Sequence, residues 1–183
     1  MLGIAFALGA CARAYAQSND PEALNKQVIE LYRVGQYAAA VPLAERYAEE
    51  MKSRYGAEAP QYATALNNLA ELYRAHGRYA DAEPLYQRAI AITEKTLGRD
   101  NPDVGIRLNN LALLYQAQGR YADAVPLYQR SLAITEKALG PDNPTVGTAL
   151  NYRPQTKATL QHFRAHLTAT TLDEHISTHR GGA

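Results

Sequence analysis

The 183-residue sequence has no tryptophan, two phenylalanines, two methionines and a single cysteine, Cys11. One cysteine excludes an intrachain disulfide framework and a zinc site built from several thiolates. Charge of neither sign prevails: 19 Lys and Arg stand against 18 Asp and Glu, a formal net charge of +1. A chain so balanced lacks the basic footprint of a nucleic-acid-binding protein and of one held on an anionic membrane surface. No apolar run reaches the roughly twenty residues that a helix needs to cross a bilayer. What is present is tyrosine, 13 residues of it, in a sequence that is 46% hydrophobic. That composition suits one domain with a core or a short repeat array, and the tyrosines prove to be periodic.

Residues 1–16, MLGIAFALGACARAYA, are apolar apart from Arg13. The run from Leu2 to Ala12 is too short for a bilayer span and fits the apolar core of a secretory signal, although no Lys or Arg precedes it. Ala14-Tyr15-Ala16 supplies a small-x-small cleavage site, which would leave Gln17 as the first mature residue. A rival reading takes Leu8-Gly9-Ala10-Cys11 as a lipobox, with Cys11 lipidated. The segment therefore predicts export to the periplasm or medium, with a membrane-anchored lipoprotein as the alternative.

Self-comparison organises the rest. Leu66–Arg107 and Leu108–Ala149 align without a gap, and roughly 31 of 42 positions are identical. An earlier, divergent copy from about Asn25 matches at Gly35, Tyr37 and Pro42, and reads as one residue shorter just before Gly35. That shortening pairs Tyr32 with Tyr73, Gln27 with Asn68 and Glu30 with Glu71. A fourth copy begins at Leu150-Asn151 and stops matching at once. Each unit reads as two helices. Pro21, Pro60 and Pro102 suit a first helical turn, and Asp20 and Asn101 before two of them are N-caps. Leu66, Leu69, Ala70 and Tyr73 fall on one face at i, i+3, i+4 and i+7. Gly77 ends that helix, and a second runs from about Tyr79 to Leu97 with Ala82, Leu85, Tyr86, Ala89 and Ile90 as its stripe. One such hairpin cannot bury both faces, so neighbours must stack.

The residues Leu69-Ala70-Tyr73, Gly77, Ala82, Tyr86 and Ala89, with Leu111-Ala112-Tyr115, Gly119, Ala124 and Tyr128 one unit later, resemble the tetratricopeptide repeat. The 42-residue period, the Leu-Asn-Asn-Leu-Ala opening and the Leu-Gly-x-Asp-Asn-Pro connector are similar to the kinesin-light-chain variety. The resemblance implies an all-α, right-handed α-solenoid of about three hairpins over 20–151, in units of about 20–59, 60–101 and 102–143 with a partial 144–151. An irregular tail, 152–183, follows. The first unit departs, with Ile29 where a small residue is usual and Ala44 where an aromatic is usual; Tyr47 would restore the lost volume.

The resemblance further implies a concave groove that binds proteins or peptides. On a helical wheel the face beside Leu69 carries Asn68 and Glu71, with Asn67 and Arg74 at its edge. The third unit offers Asn110 and Leu113, with Asn109 and Gln116; the first offers Gln27 and Glu30. An Asn amide supplies both a donor and an acceptor, the pattern of a peptide backbone, which makes Asn68 and Asn110 the leading candidates. Units about 10 Å apart and a strand rise of about 3.3 Å per residue give a ligand of roughly nine residues. Glu30 and Glu71 near Leu113 suggest a basic end and an apolar end. The alternative is a polar helix face merely copied by duplication.

After Asn151 the fourth copy would place Arg153 in the core and Pro154 inside a helix, both unfavourable. Truncation or a frameshift of the array accounts for this, with a short capping helix around 155–167 as the alternative. Four of the five histidines lie there, His162 with His166 and His175 with His179, but Thr is frequent and the second pair has no strong helix. No metal site or cofactor is expected. The repeats hold no Gly-rich phosphate loop and no Ser/His/Asp constellation, so no intrinsic catalysis is expected either. The expected function is a protein- or peptide-binding scaffold. Two alternatives remain: the sensor arm of a larger repeat protein with a caspase-like (CHAT) protease or signalling effector, or a scaffold that self-associates through an uncapped last hairpin.

Overall fold

The computed structural model describes residues 20–140, and these form six helices: α1 (Pro21–Arg33), α2 (Tyr37–Tyr55), α3 (Pro60–Ala75), α4 (Tyr79–Leu97), α5 (Pro102–Ala117) and α6 (Tyr121–Leu139). No strand occurs among the described residues. Residues 1–16 with Cys11, expected to be a secretory signal, the partial copy expected at 144–151 and the histidine-bearing residues 152–183 lie outside them.

The first helix of each unit starts at its proline, where a missing N–H costs nothing and φ is already helical. Asp20 and Asn101 cap two of these helices, their side chains accepting from Glu22 N at 3.2 Å and Asp103 N at 2.9 Å. Gly35, Gly77 and Gly119 turn the chain between the two helices of a hairpin at φ of 73–78°, a left-handed conformation that only glycine adopts without strain. Residues 56, 98 and 140, all glycine, cap the second helices at positive φ with ψ of 150–159°, an extended conformation also reserved for glycine.

The helices stack in sequence order, each packing on the one before it. Ala70, Ala82, Ala112 and Ala124 are buried where helices of a hairpin meet, and Tyr86 and Leu114 are fully enclosed. Tyr73 and Tyr115 tie hairpins together. Their hydroxyls donate to Glu45 on α2 and to Glu83 on α4, the latter at 2.9 Å. A guanidinium lies over each ring, Arg78 at 4.4 Å and Arg120 at 4.1 Å from the centroids. The same arginines donate to Asp81 and Asp123 in the first turn of the following helix. This explains why Gly-Arg-Tyr-Ala-Asp repeats; the first unit, with Gln36 and Ala39, lacks the device. On the connector side Arg88 and Lys95 of α4 reach back to Glu58, and Lys137 of α6 reaches Asp100.

The register of the first unit differs from the expectation. The backbone bond Gln36 N to Leu31 O has the same place as Arg78 N to Tyr73 O and Arg120 N to Tyr115 O. Leu24 is as deeply buried as Leu66 and Leu108. The units are therefore related by 42 residues with no shortening, and Ala23-Leu24-Asn25 corresponds to Ala65-Leu66-Asn67. The Glu-Leu-Tyr-Arg segment that α1 and α3 share is displaced by one residue. Tyr32 thus corresponds to Arg74 rather than Tyr73. Ile29 occupies the place of Glu71 and is about half exposed, while Val28 fills the small-residue position of Ala70. Burial of Leu24 and Val28 decides this, because a one-residue shift would turn both out of the seam.

Candidate functional site

With the register corrected, the first helices present matching rows. Asn25, Asn67 and Asn109 form one; Ile29, Glu71 and Leu113 another; Tyr32, Arg74 and Gln116 a third. A cavity of about 280 Å³ opens between α1 and α3, lined by Asn25, Val28, Ile29, Tyr32, Asn67, Asn68, Glu71 and Leu72. Its floor is apolar and three asparagine amides stand around it. Of the expected groove residues, Asn67, Asn68 and Glu71 come together here. Gln27 and Glu30 do not line it: in the true register they correspond to Leu69 and Leu72, and the Glu30 side chain is 63% exposed. Asn25, Ile29 and Tyr32 take their place. The match of Ala-Leu-Asn at 23–25 with 65–67 was the signal for them, obscured by the longer Glu-Leu-Tyr-Arg match one residue out of step.

Glu71 is the electrostatic centre of this face. Its carboxylate accepts from Arg74 Nε at 2.9 Å, Tyr86 Oη at 2.8 Å and Tyr32 Oη at 3.0 Å. Burial pushes its pKa up, but the bonds from Arg74, Tyr86 and Tyr32 outweigh that, and the net displacement is below the usual carboxyl value. Burial and the adjacent carboxylate push the Tyr86 hydroxyl up, which keeps it a donor. The acid is thus neutralised internally and does not present a free charge to a ligand. Leu113 and Gln116 replace the pair in the third unit, where Gln116 accepts from Tyr128 Oη at 2.7 Å.

The asparagines are not equivalent. Asn110 Nδ2 donates to Asn67 Oδ1 at 3.1 Å, closing a rung between α5 and α3. The corresponding residues one seam earlier, Asn68 and Asn25, both line the open cavity. Asn109 has its Oδ1 buried without a hydrogen-bond partner. Asn68 Oδ1 accepts from Asn67 Nδ2 at 3.5 Å, so Asn68 keeps the Nδ2 donor that Asn110 has already committed.

Below the first cavity, and sharing Asn25 with it, a second of about 370 Å³ lies between α1, α2 and α3. Its walls are Asp20, Pro21, Glu22, Asn25, Tyr47, Met51, Arg54, Tyr55, Gln61 and Thr64. Tyr47 thus forms a cavity wall here, at the position of Ala89, while Ala44 is buried where Tyr86 stands one unit later. The next seam is filled at the corresponding place. Arg107, 6% exposed where the duplicate unit has Ala65, donates to Thr64 Oγ1 at 3.0 Å and to its own Asp103 carbonyl at 3.1 Å. Burial lowers its pKa, and its Nε has no acceptor.

A stack of two-helix hairpins with a polar, cavity-bearing seam between first helices defines the class: an α-helical repeat scaffold. Residues 63–103 and 106–145 match the tetratricopeptide repeat family model. No curated protein matches the sequence. Among solved structures, the chain is similar to a putative kinesin light chain of Podosopora anserina with nearly identical TPR-like repeats. That likeness has 27% identity, covers 84% of this chain and 79% of that one, and has a TM-score of 0.58. A second crystal structure of that protein, carrying a point substitution, gives 26% identity, 88% and 82% coverage and a TM-score of 0.60. BtubC (BKLC) from P. vanneervenii shares the fold at 20% identity and a TM-score of 0.62, over 85% of this chain and 67% of that one. Arrays of this family typically mediate protein–protein interaction and are generally not catalytic. Among the described residues no group of three or more metal-ligating side chains occurs, and no helix is long and apolar enough to cross a membrane.

Proposed function

We propose that this array is a binding module for an extended peptide, laid across the first helices and anchored in the cavity between α1 and α3. The observation that carries this is the combination in that cavity of an apolar floor, from Val28, Ile29 and Leu72, with the amides of Asn25, Asn67 and Asn68 at its edge. An apolar side chain gains about 25 cal/mol per Å² on entering such a floor. A peptide N–H and C=O removed from water need partners, which a paired donor and acceptor on one Asn supply. The ligand is a protein or peptide of roughly nine residues if it crosses all three units. Reading as an exported periplasmic or secreted module rests on residues 1–16 alone.

The test is selection of binding peptides from a random nonapeptide display on the full chain, followed by affinity measurement with Asn68→Ala and Asn110→Ala. The expected loss is about tenfold for Asn68→Ala, which removes an Nδ2 donor facing the cavity, and less than twofold for Asn110→Ala, whose Nδ2 already donates to Asn67. Equal loss at both positions, or none at either, sinks the proposal. Capture of a tethered effector or of a second copy remains a separate reading; light scattering of the full chain decides the latter.

A further inference from the structure

The two seams between first helices are built from the same positions but end differently. In the seam between α3 and α5, Arg107 lies among Thr64, which accepts from its Nη2 at 3.0 Å, and Asp103, whose carbonyl accepts from Nη1 at 3.1 Å and whose carboxylate lies 4.0 Å away. Moving back by one 42-residue unit, Arg107 becomes Ala65, Thr64 becomes Glu22 and Asp103 becomes Gln61. Glu22 and Gln61 both line the 370 Å³ cavity, and Ala65 is too short to enter it. The place that a guanidinium fills in one seam is therefore vacant in the other, and a carboxylate stands where the hydroxyl acceptor was.

The rest of that cavity suits the same group. Tyr47 and Tyr55 stand in its walls, and Tyr rings attract guanidinium groups. Asp20 adds a second carboxylate, which caps α1 through Glu22 N at 3.2 Å. Arg54, the cation in the wall, is held by Glu50 at 2.9 Å. Glu22 has no ion pair among the described residues, so its charge meets whatever enters.

We propose that this cavity receives an arginine side chain of the bound peptide, in the position that Arg107 occupies in the following seam. The inference rests on the peptide-binding reading and names one of its side chains. Guanidinium donors would reach the Glu22 carboxylate and the Gln61 side chain, while Tyr47 and Tyr55 flank the planar group. Asn25, shared by both cavities, sets the neighbouring requirement: an apolar residue follows the arginine along the groove. A lysine fits less well, because its ammonium cannot present a planar fork to a carboxylate and two rings.

The experiment titrates Nα-acetyl-arginine methylamide into the full chain and follows the side-chain amides of Asn25 and Gln61 by NMR. Acetyl-lysine and acetyl-norleucine methylamides serve as comparisons. Saturable shifts are expected with arginine, at least threefold weaker binding with lysine, and no saturation with norleucine. Ala65→Arg supplies internally the side chain that position 107 carries, so it should abolish the response while keeping the helical spectrum. Glu22→Gln, an exposed substitution, should weaken arginine binding at least threefold and decides the matter if Ala65→Arg fails to fold. Binding of norleucine equal to that of arginine, or an undiminished response in Glu22→Gln, overturns the proposal. The amino-acid probe reports this cavity alone. If it binds while Asn68→Ala leaves the selected nonapeptides unaffected, the groove reading falls and the arginine cavity stands. If it fails to bind while Asn68→Ala weakens the nonapeptides, the arginine cavity falls and the groove stands.

Discussion

Removing the charge of Glu71 while keeping its shape, by Glu71→Gln, tests the centre of the inner face. In the native protein four hydrogen bonds converge on this carboxylate, two from Arg74 and one each from Tyr86 and Tyr32. A hydrogen bond to a charged group contributes about 1.5–3 kcal/mol and a neutral one about 0.5–1.5, so four conversions amount to about 4 kcal/mol. The side chains of Glu71 and Arg74 are 25% and 27% exposed, which screens their pair and brings the expected loss to about 2 kcal/mol. The new amide also aims a donor at groups that are themselves donors, so the loss should not fall below about 1 kcal/mol. With a slope of about 1–3 kcal/mol/M, urea unfolding should shift by about 1 M.

Because the folded-state pKa of Glu71 is displaced downward, its contribution is fully present above the unfolded carboxyl value and fades as pH falls through the lower folded one. The Gln variant has no such arm. The gap between the two proteins should therefore be widest at neutral pH and close as the solution is acidified below about pH 4.5. A gap that persists unchanged at pH 3, or a variant as stable as wild type at pH 7, refutes this account of the network.

Other positions follow from the same packing. Leu69→Ala or Leu111→Ala, each about 5% exposed or less, should cost about 2–5 kcal/mol; an unchanged unfolding midpoint in either contradicts the stacking register. Asn67→Ala and Asn110→Ala should couple by about 0.5–1.5 kcal/mol in a double-mutant cycle, and additive losses would show the rung contributes nothing. Gly98→Ala should destabilise by about 1–3 kcal/mol, since its φ of 91° and ψ of 155° are strained for any L side chain, although no atom lies within 4 Å of an added Cβ. Thermal unfolding no lower than wild type would mean that the turn relaxes freely.

Six helices, the start of each hairpin's first helix at proline and the stops at glycine were legible in the sequence, because caps and breakers act through local backbone chemistry. So was the pairing of small Ala70 and Ala82 with bulky Tyr73 and Tyr86. The site was legible only in part. Asn67, Asn68 and Glu71, expected on one face, line one cavity, whereas a four-residue identity that is out of register assigns Gln27 and Glu30 to that face. Local similarity between Glu-Leu-Tyr-Arg segments carries no information about which residues are enclosed.

What the amino-acid sequence determined by itself was a 42-residue period of helical hairpins, since near-duplicate units must fold alike and each must bury its open face on the next. What only the tertiary structure decided was how the seams differ. Burial of Leu24 and Val28 set the first unit's register. One seam is open and the other filled where Ala65 gives way to Arg107, together with Glu22 to Thr64 and Gln61 to Asp103. Those outcomes depend on side chains meeting across 42 residues of chain, where reach, desolvation and hydrogen-bond partners act together and no local pattern records them.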